Sequence, residues 1–89
     1  MYFLDKELNQ KIPMIKVNSS NISLIGYFNS HLYIRFKETK FVYRYSKVSQ
    51  SLYNELINAK SKGSFLSENV KKNSKKYPYK KLDGGIYDW

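Results

Sequence analysis

The residues best suited to chemistry in this sequence are cations interleaved with aromatics. Lys71, Lys72, Lys75, Lys76, Lys80 and Lys81 surround Tyr77 and Tyr79 in the stretch 71–81. Lysine ammonium groups contact phosphates without reading sequence, and aromatic rings between cations stack unpaired bases. A second cationic set comes from alternation. In the run 31–45, HLYIRFKETKFVYRY, the residues Tyr33, Arg35, Lys37, Lys40, Val42 and Arg44 fall on one side of a period-two pattern. No acid sits among them, and Tyr33 is the candidate there for stacking on a base. Lysine outnumbers arginine in these sets, which favours electrostatic contact over bidentate reading of bases.

Other chemistry finds little material. The one histidine, His31, stands at an expected hairpin with no partner in sequence to make it a general base. One His and scattered acids give no metal-ligand spacing, there is no glycine-rich phosphate loop, and Ser19-Ser20 reads as a turn. The chain is therefore expected not to be an enzyme and to hold no metal or cofactor.

Sixteen Lys and Arg against seven Asp and Glu give a net charge of +9 over 89 residues. Such an excess attracts polyanions. The length suits one domain, spanning 1–89. A chain this short has a thin core, and nine Tyr, five Phe and one Trp supply large side chains for it. With no cysteine there is no disulfide and no thiolate chemistry. No apolar run approaches a membrane span, and the opening MYFLDKELNQ does not read as a signal peptide. A cytoplasmic location with no membrane partner is expected.

The elements that must position the cations read as follows. Tyr2, Phe3, Leu4 and Leu8 form either a short amphipathic turn over an edge or a loose arm, and Pro13 stops any helix there. Met14–Val17 and Ile22–Phe28 are strands about a turn at 18–21. Ile22 and Leu24 are expected on one side, Ile25 and Tyr27 on the other, and Gly26 marks a bulge or a close backbone approach. The next two strands pair Leu32 with Tyr45, Ile34 with Tyr43 and Phe36 with Phe41, so these six share a core face. The opposite face is then the solvated, basic one. Tyr43 and Tyr45 are read as core rather than as stacking platforms. A helix follows, capped by Ser49 or Ser51, with Leu52, Tyr53, Leu56 and Ile57 on one face and Gly63 as its C′ residue. Phe65, Leu66 and Val70 anchor a second, short helix capped by Ser64 or Ser67. The stretch YPY is extended, Gly84-Gly85 is a turn, and the tail is aromatic. The expected fold is α+β: a small antiparallel sheet of about four strands, one main helix packed on one face, and a short second helix.

These pieces, in order, resemble the KTSC domain. The marks are Ser19-Ser20, Ile25-Gly26-Tyr27, Tyr43-x-Tyr45, Tyr53, Ala59, Ser61-Lys62-Gly63, Phe65 and Tyr77-x-Tyr79. Phe28 departs from the pattern, where an acidic residue is expected. The resemblance covers about residues 14–82 and leaves an arm, 1–12, and an aromatic tail, 83–89. The family takes its name from the C-terminal extension of some lysyl-tRNA synthetases and includes short stand-alone bacterial and phage proteins. The resemblance implies a sheet-plus-helix fold, supplies no catalytic residues, and slightly favours a nucleic-acid partner.

Two functions follow as expectations. The first is a non-enzymatic module that binds nucleic acid, RNA ahead of DNA, through Tyr33, Arg35, Lys37, Lys40, Arg44, Lys71, Lys72, Lys75, Lys76, Tyr77, Tyr79, Lys80 and Lys81. The second is a phage or mobile-element accessory protein that meets an acidic surface on a host protein, such as a defence nuclease, and inhibits it. Its motive is the apolar ends, Tyr2-Phe3-Leu4 and Ile86-Tyr87-Trp89, which could instead join two copies in a homodimer.

Overall fold

The structure, a computed structural model, describes residues 1–39, 41–82 and 85–87. Lys40, Gly84 and Trp89 lie outside the described residues. Seven strands form one antiparallel sheet: β1 (Tyr2–Asp5), β2 (Gln10–Lys16), β3 (Ile22–Phe28), β4 (His31–Phe36), β5 (Val42–Tyr45), β6 (Tyr79–Leu82) and β7 (Ile86–Tyr87). Their order is β6-β5-β4-β3-β2-β1-β7. Between β5 and β6 come helix α1 (Gln50–Asn58) and helix α2 (Lys62–Leu66), which runs on into a π-helical turn, Ser67–Lys71. The expectation of about four strands with one main helix is thus overturned: a curled seven-stranded sheet, a half-barrel, carries two short helices.

The extra strands come from segments without a strong local signal. The expected arm is β1, paired with β2 from Tyr2↔Pro13 to Asp5↔Gln10. Pro13 does not end the strand. The N–H of Met14 donates to the Met1 carbonyl at 3.0 Å. Backbone groups alternate sides along a strand, so the ring nitrogen of Pro13 faces the β3 side. There pairing begins only at Met14↔Gly26, and the missing donor costs no ladder bond. The strand changes partner at the proline, from β1 to β3. Gly26 allows this crossing. A Cβ there would lie 2.8 Å from the Pro13 carbonyl oxygen and against the Met14 sulfur and Ile12. The close approach expected at Gly26 is present, and the bulge lies earlier, between Ile22 and Leu24.

That bulge puts Ile22 and Leu24 on opposite faces. Ile22 joins Ile25, Leu32, Ile34 and Tyr45 in a core under the helices, with Val48, Leu56, Leu66 and Val70. Leu24 joins a second core of Phe3, Ile12, Met14, Tyr33, Val42 and Leu82. The sheet is therefore buried on both faces. The register Leu32↔Tyr45 and Ile34↔Tyr43 matches the sequence reading, and Tyr43 and Tyr45 lie in or against the helix-side core. The face opposite them, expected to be solvated and basic, is the concave interior of the curl.

The helices follow their sequence signals in part. Ser49 caps α1, its hydroxyl accepting from the Leu52 N–H at 3.1 Å. Gly63 is not the C′ residue: α1 ends at Asn58, and Gly63 lies inside α2 beside Asn21. The cap position of α2 is Ser61 rather than Ser64 or Ser67, and its hydroxyl donates to Ser64 Oγ instead of capping the backbone.

Gly26→Ala should destabilise the fold by roughly 1–3 kcal/mol, the usual cost of overpacking, because the Pro13 carbonyl is backbone and cannot swing aside. A urea melt reads this as a lower midpoint at unchanged slope. The β3–β4 hairpin offers the opposite change. Its two-residue turn holds Asn29 at φ 48° and Ser30 at φ 66°, a conformation that favours glycine. Ser30→Gly should raise the midpoint.

Candidate functional site

The two cationic sets meet different fates. On the concave side, Tyr33 is fully buried and cannot stack on a base. Its hydroxyl donates to Asp5 Oδ2 at 2.6 Å. Arg44 Nη1 donates to the same oxygen at 2.9 Å, and its Nη2 donates to Glu7 Oε1 at 2.8 Å. The backbone N–H groups of Glu7 and Leu8 donate to Asp5 Oδ1 at 3.1 and 3.2 Å. Lys80 pairs with the other Glu7 oxygen. Arg35 is half-buried on the same face, with its Nε buried and without a partner among the described residues. Around Tyr33 and Asp5 this surface is closed, and acids from the β1–β2 turn match Arg44 and, at its exposed rim, Lys80.

The electrostatics follow from that geometry. Burial alone would raise the Asp5 pKa, but hydrogen bonds from Tyr33 and Arg44 and from the Leu8 backbone outweigh it and hold the carboxyl below its ordinary range. Burial and then the Asp5 carboxylate push the Tyr33 hydroxyl well above the ordinary tyrosine range. His31 sits nearby in β4, and burial followed by the Arg44 charge lowers its pKa. Its imidazole is neutral at neutral pH, with Nδ1 buried and unpartnered among the described residues.

On the convex side the second set stays open. Lys71, Lys72, Lys75, Lys76, Lys81, Lys37 and Tyr79 are exposed. Tyr77 is not: it is 9 % exposed and packs into the helix-side core. Proximity to rings organises part of the set. Lys71 Nζ lies 5.1 Å from the Phe36 ring centre and Lys81 Nζ 3.9 Å from that of Phe41, within cation–π range.

Between the sheet and α2 runs a cleft of about 630 Å³. Its floor is aromatic. Phe36 meets Tyr43 edge-on at 5.6 Å, and Tyr79 packs on Tyr43 at 6.0 Å and on Tyr45 at 5.9 Å. Strand pairing makes this cluster, because Tyr45 stands opposite Tyr79 across β5 and β6. The far wall is the second helix. Gly63, Ser67 and Lys71 face the cleft, at successive i, i+4 positions that share one helical face. The segment from Ser67 is the π-turn, a geometry often found at functional sites. Glu38 and Asn21 complete the rim. Tyr45 is 3 % exposed and its hydroxyl has no hydrogen-bond partner among the described residues. Burial, with Tyr43 and Tyr79 beside it, pushes its pKa up to about 12.

The sequence pattern separates these residues. It sets Tyr79 and Lys71 among the exposed cations and rings and Tyr43 and Tyr45 in the core, and it does not single out Glu38. The strand register can join Tyr43 to Tyr45, but no local signal sets Tyr79 beside them.

Removing the buried carboxylate should be costly. Asp5→Asn removes the charge that answers Arg44 and turns one of two acceptor oxygens into a donor NH2 among four donors, and should cost roughly 3 kcal/mol or more at neutral pH. Tyr33→Phe, which removes one donor, should cost about 1–2 kcal/mol. Asp5 has a lower pKa folded than unfolded. Its contribution is thus complete above the ordinary carboxylate range, near pH 4, and is lost as the pH falls through the lower folded value. The stability gap between parent and Asp5→Asn should therefore narrow on acidification below about pH 4, as urea melts from pH 7 to 2 would show.

The comparisons with known proteins agree with the architecture. The profile of the KTSC domain matches residues 18–77. The crystal structure of a KTSC domain protein from Yersinia pestis superposes with a TM-score of 0.72 at 31 % identity, covering 81 % of this chain and 99 % of that one. No curated protein sequence matches. With the profile spanning well over half of its length, the chain belongs to the KTSC domain family.

Proposed function

We propose that this protein is a non-enzymatic module that binds single-stranded nucleic acid, RNA ahead of DNA, in a cytoplasmic setting. One observation carries the reading: a run of exposed lysines, Lys71, Lys72, Lys75, Lys76 and Lys81, flanks the 58 % exposed ring of Tyr79 on the edge strand β6. Cations along a groove hold a phosphate backbone, and an exposed ring offers a base its face. The buried set argues in the same direction. Of the concave cations, Arg44 and Lys80 are matched by Asp5 and Glu7, whereas the exposed lysines at 71–76 and Lys81 have no ion pair among the described residues. The inhibitor alternative rests on apolar ends whose described residues are partly engaged with each other. β7 pairs with β1, and Tyr2 stacks on Tyr87 at 5.3 Å.

Reversing Lys71, Lys72, Lys75 and Lys76 to Glu should weaken single-stranded RNA binding at low salt at least tenfold. It should also flatten the dependence of log affinity on log salt by about 3, at roughly 0.7 for each phosphate no longer neutralised. Fluorescence anisotropy with labelled RNA at several salt concentrations measures both. Unchanged affinity at low salt would remove the nucleic-acid assignment.

A further inference from the structure

Building on that reading, we infer that the cleft between the sheet and the second helix is a pocket for one unpaired base, with a preference for guanine. Its floor is lined by Phe36, Tyr43, Tyr45 and Tyr79, whose rings are tilted or edge-on to one another, and Tyr79, 58 % exposed, is the one with a ring face open to a base. Tyr45 lines it from a side chain that is only 3 % exposed, so Tyr79 presents most of the open ring surface. Lys71, on the helical wall, meets the lysine-rich run at 71–76, where the backbone phosphates of a bound strand would lie.

Glu38 supplies the selectivity. It is an exposed carboxylate on the cleft rim with no ion pair or hydrogen bond among the described residues. A carboxylate repels a bare phosphate, so the cleft is poorly made for an inorganic anion. It accepts hydrogen bonds only. Among the bases, guanine presents two adjacent donors, N1–H and the N2 amine, on one edge, and these match the two oxygens. Uracil presents one donor between two acceptors and matches them poorly. The cleft volume of about 630 Å³ lies in the range of small-ligand pockets and accommodates a purine nucleoside.

The test compares two RNA heptamers, U7 and U3GU3, by anisotropy against the parent protein, Tyr79→Ala and Glu38→Gln, each checked for an unchanged circular dichroism spectrum. The parent should bind U3GU3 at least fivefold more tightly than U7. Glu38→Gln should bring the ratio of U3GU3 to U7 affinity to about one, whatever the loss of its charge does to both. Tyr79→Ala should weaken both heptamers at least fivefold with the salt slope unchanged, since it removes a stacking face and no cation. Equal affinity of the parent for the two heptamers, or a Tyr79→Ala protein that binds like the parent, overturns the pocket. If the parent still binds both RNAs with steep salt dependence, the cationic reading stands without it. If the parent binds neither heptamer at low salt, both fall together.

Discussion

A carboxylate withdrawn from water must have its charge answered on the spot, and Asp5 has four donors for its two oxygens. Two are backbone N–H groups of the turn that follows it, and two are side chains from distant strands. Asp5 lies at the end of β1, and Arg44 lies on β5, four strands away in the sheet order. In a flat sheet about 19 Å would separate those strands, beyond the reach of an Asp–Arg pair. The 2.9 Å ion pair exists because the sheet curls, and the curl is held shut where β1, β4 and β5 converge on one carboxylate. Glu7 extends the same closure to β6 through Lys80. Lone buried ion pairs are weak stabilisers compared with apolar packing. Here the pair sits beside a core of Phe3, Ile12, Met14 and Val42, which supplies the apolar burial, while the charges fix which strands meet.

This closure also sorts the molecule's charge. Two of seven acids are spent on concave cations, which leaves the convex surface rich in unmatched lysine. The same strands that seal the interior line up Tyr43, Tyr45 and Tyr79 on the outside, because alternate residues of β5 and β6 point to opposite faces. Arg44 and Lys80 go inward to the acids, while Tyr45 and Tyr79 go outward to the cleft. The fold thus separates an acid-matched polar cluster, buried at Asp5 and exposed at Glu7, from an open, aromatic and cationic groove on one pair of strands.

Where local pattern decides structure, the sequence is legible. The β4–β5 register, the core role of Leu32 and Ile34, and the Ser49 cap follow from alternation and from a side chain able to accept an N–H. The solvated basic face does not follow, since alternation says which residues share a face and not whether that face is covered. What covers it is Phe3, Asp5, Ile12 and Met14. Their own alternation across Pro13 is real, but a proline normally interrupts a strand, and only the change of partner at that residue keeps β2 whole. The cleft is harder still. Tyr79 follows a loop that returns from the π-turn, and its neighbours depend on β6 adding to the edge of β5, a pairing 34 residues or more away in sequence.

The most direct measurement is an amide and side-chain NMR map of the protein with and without a short single-stranded RNA. Shifts are expected to concentrate at Tyr79, Tyr45, Ser67, Lys71 and Glu38, with the Asp5, Tyr33 and Arg44 resonances unmoved. Shifts centred on Asp5, Tyr33 and Arg44, with the cleft quiet, would mean that the concave face opens to its ligand, and would contradict a sealed interior beside an open binding groove.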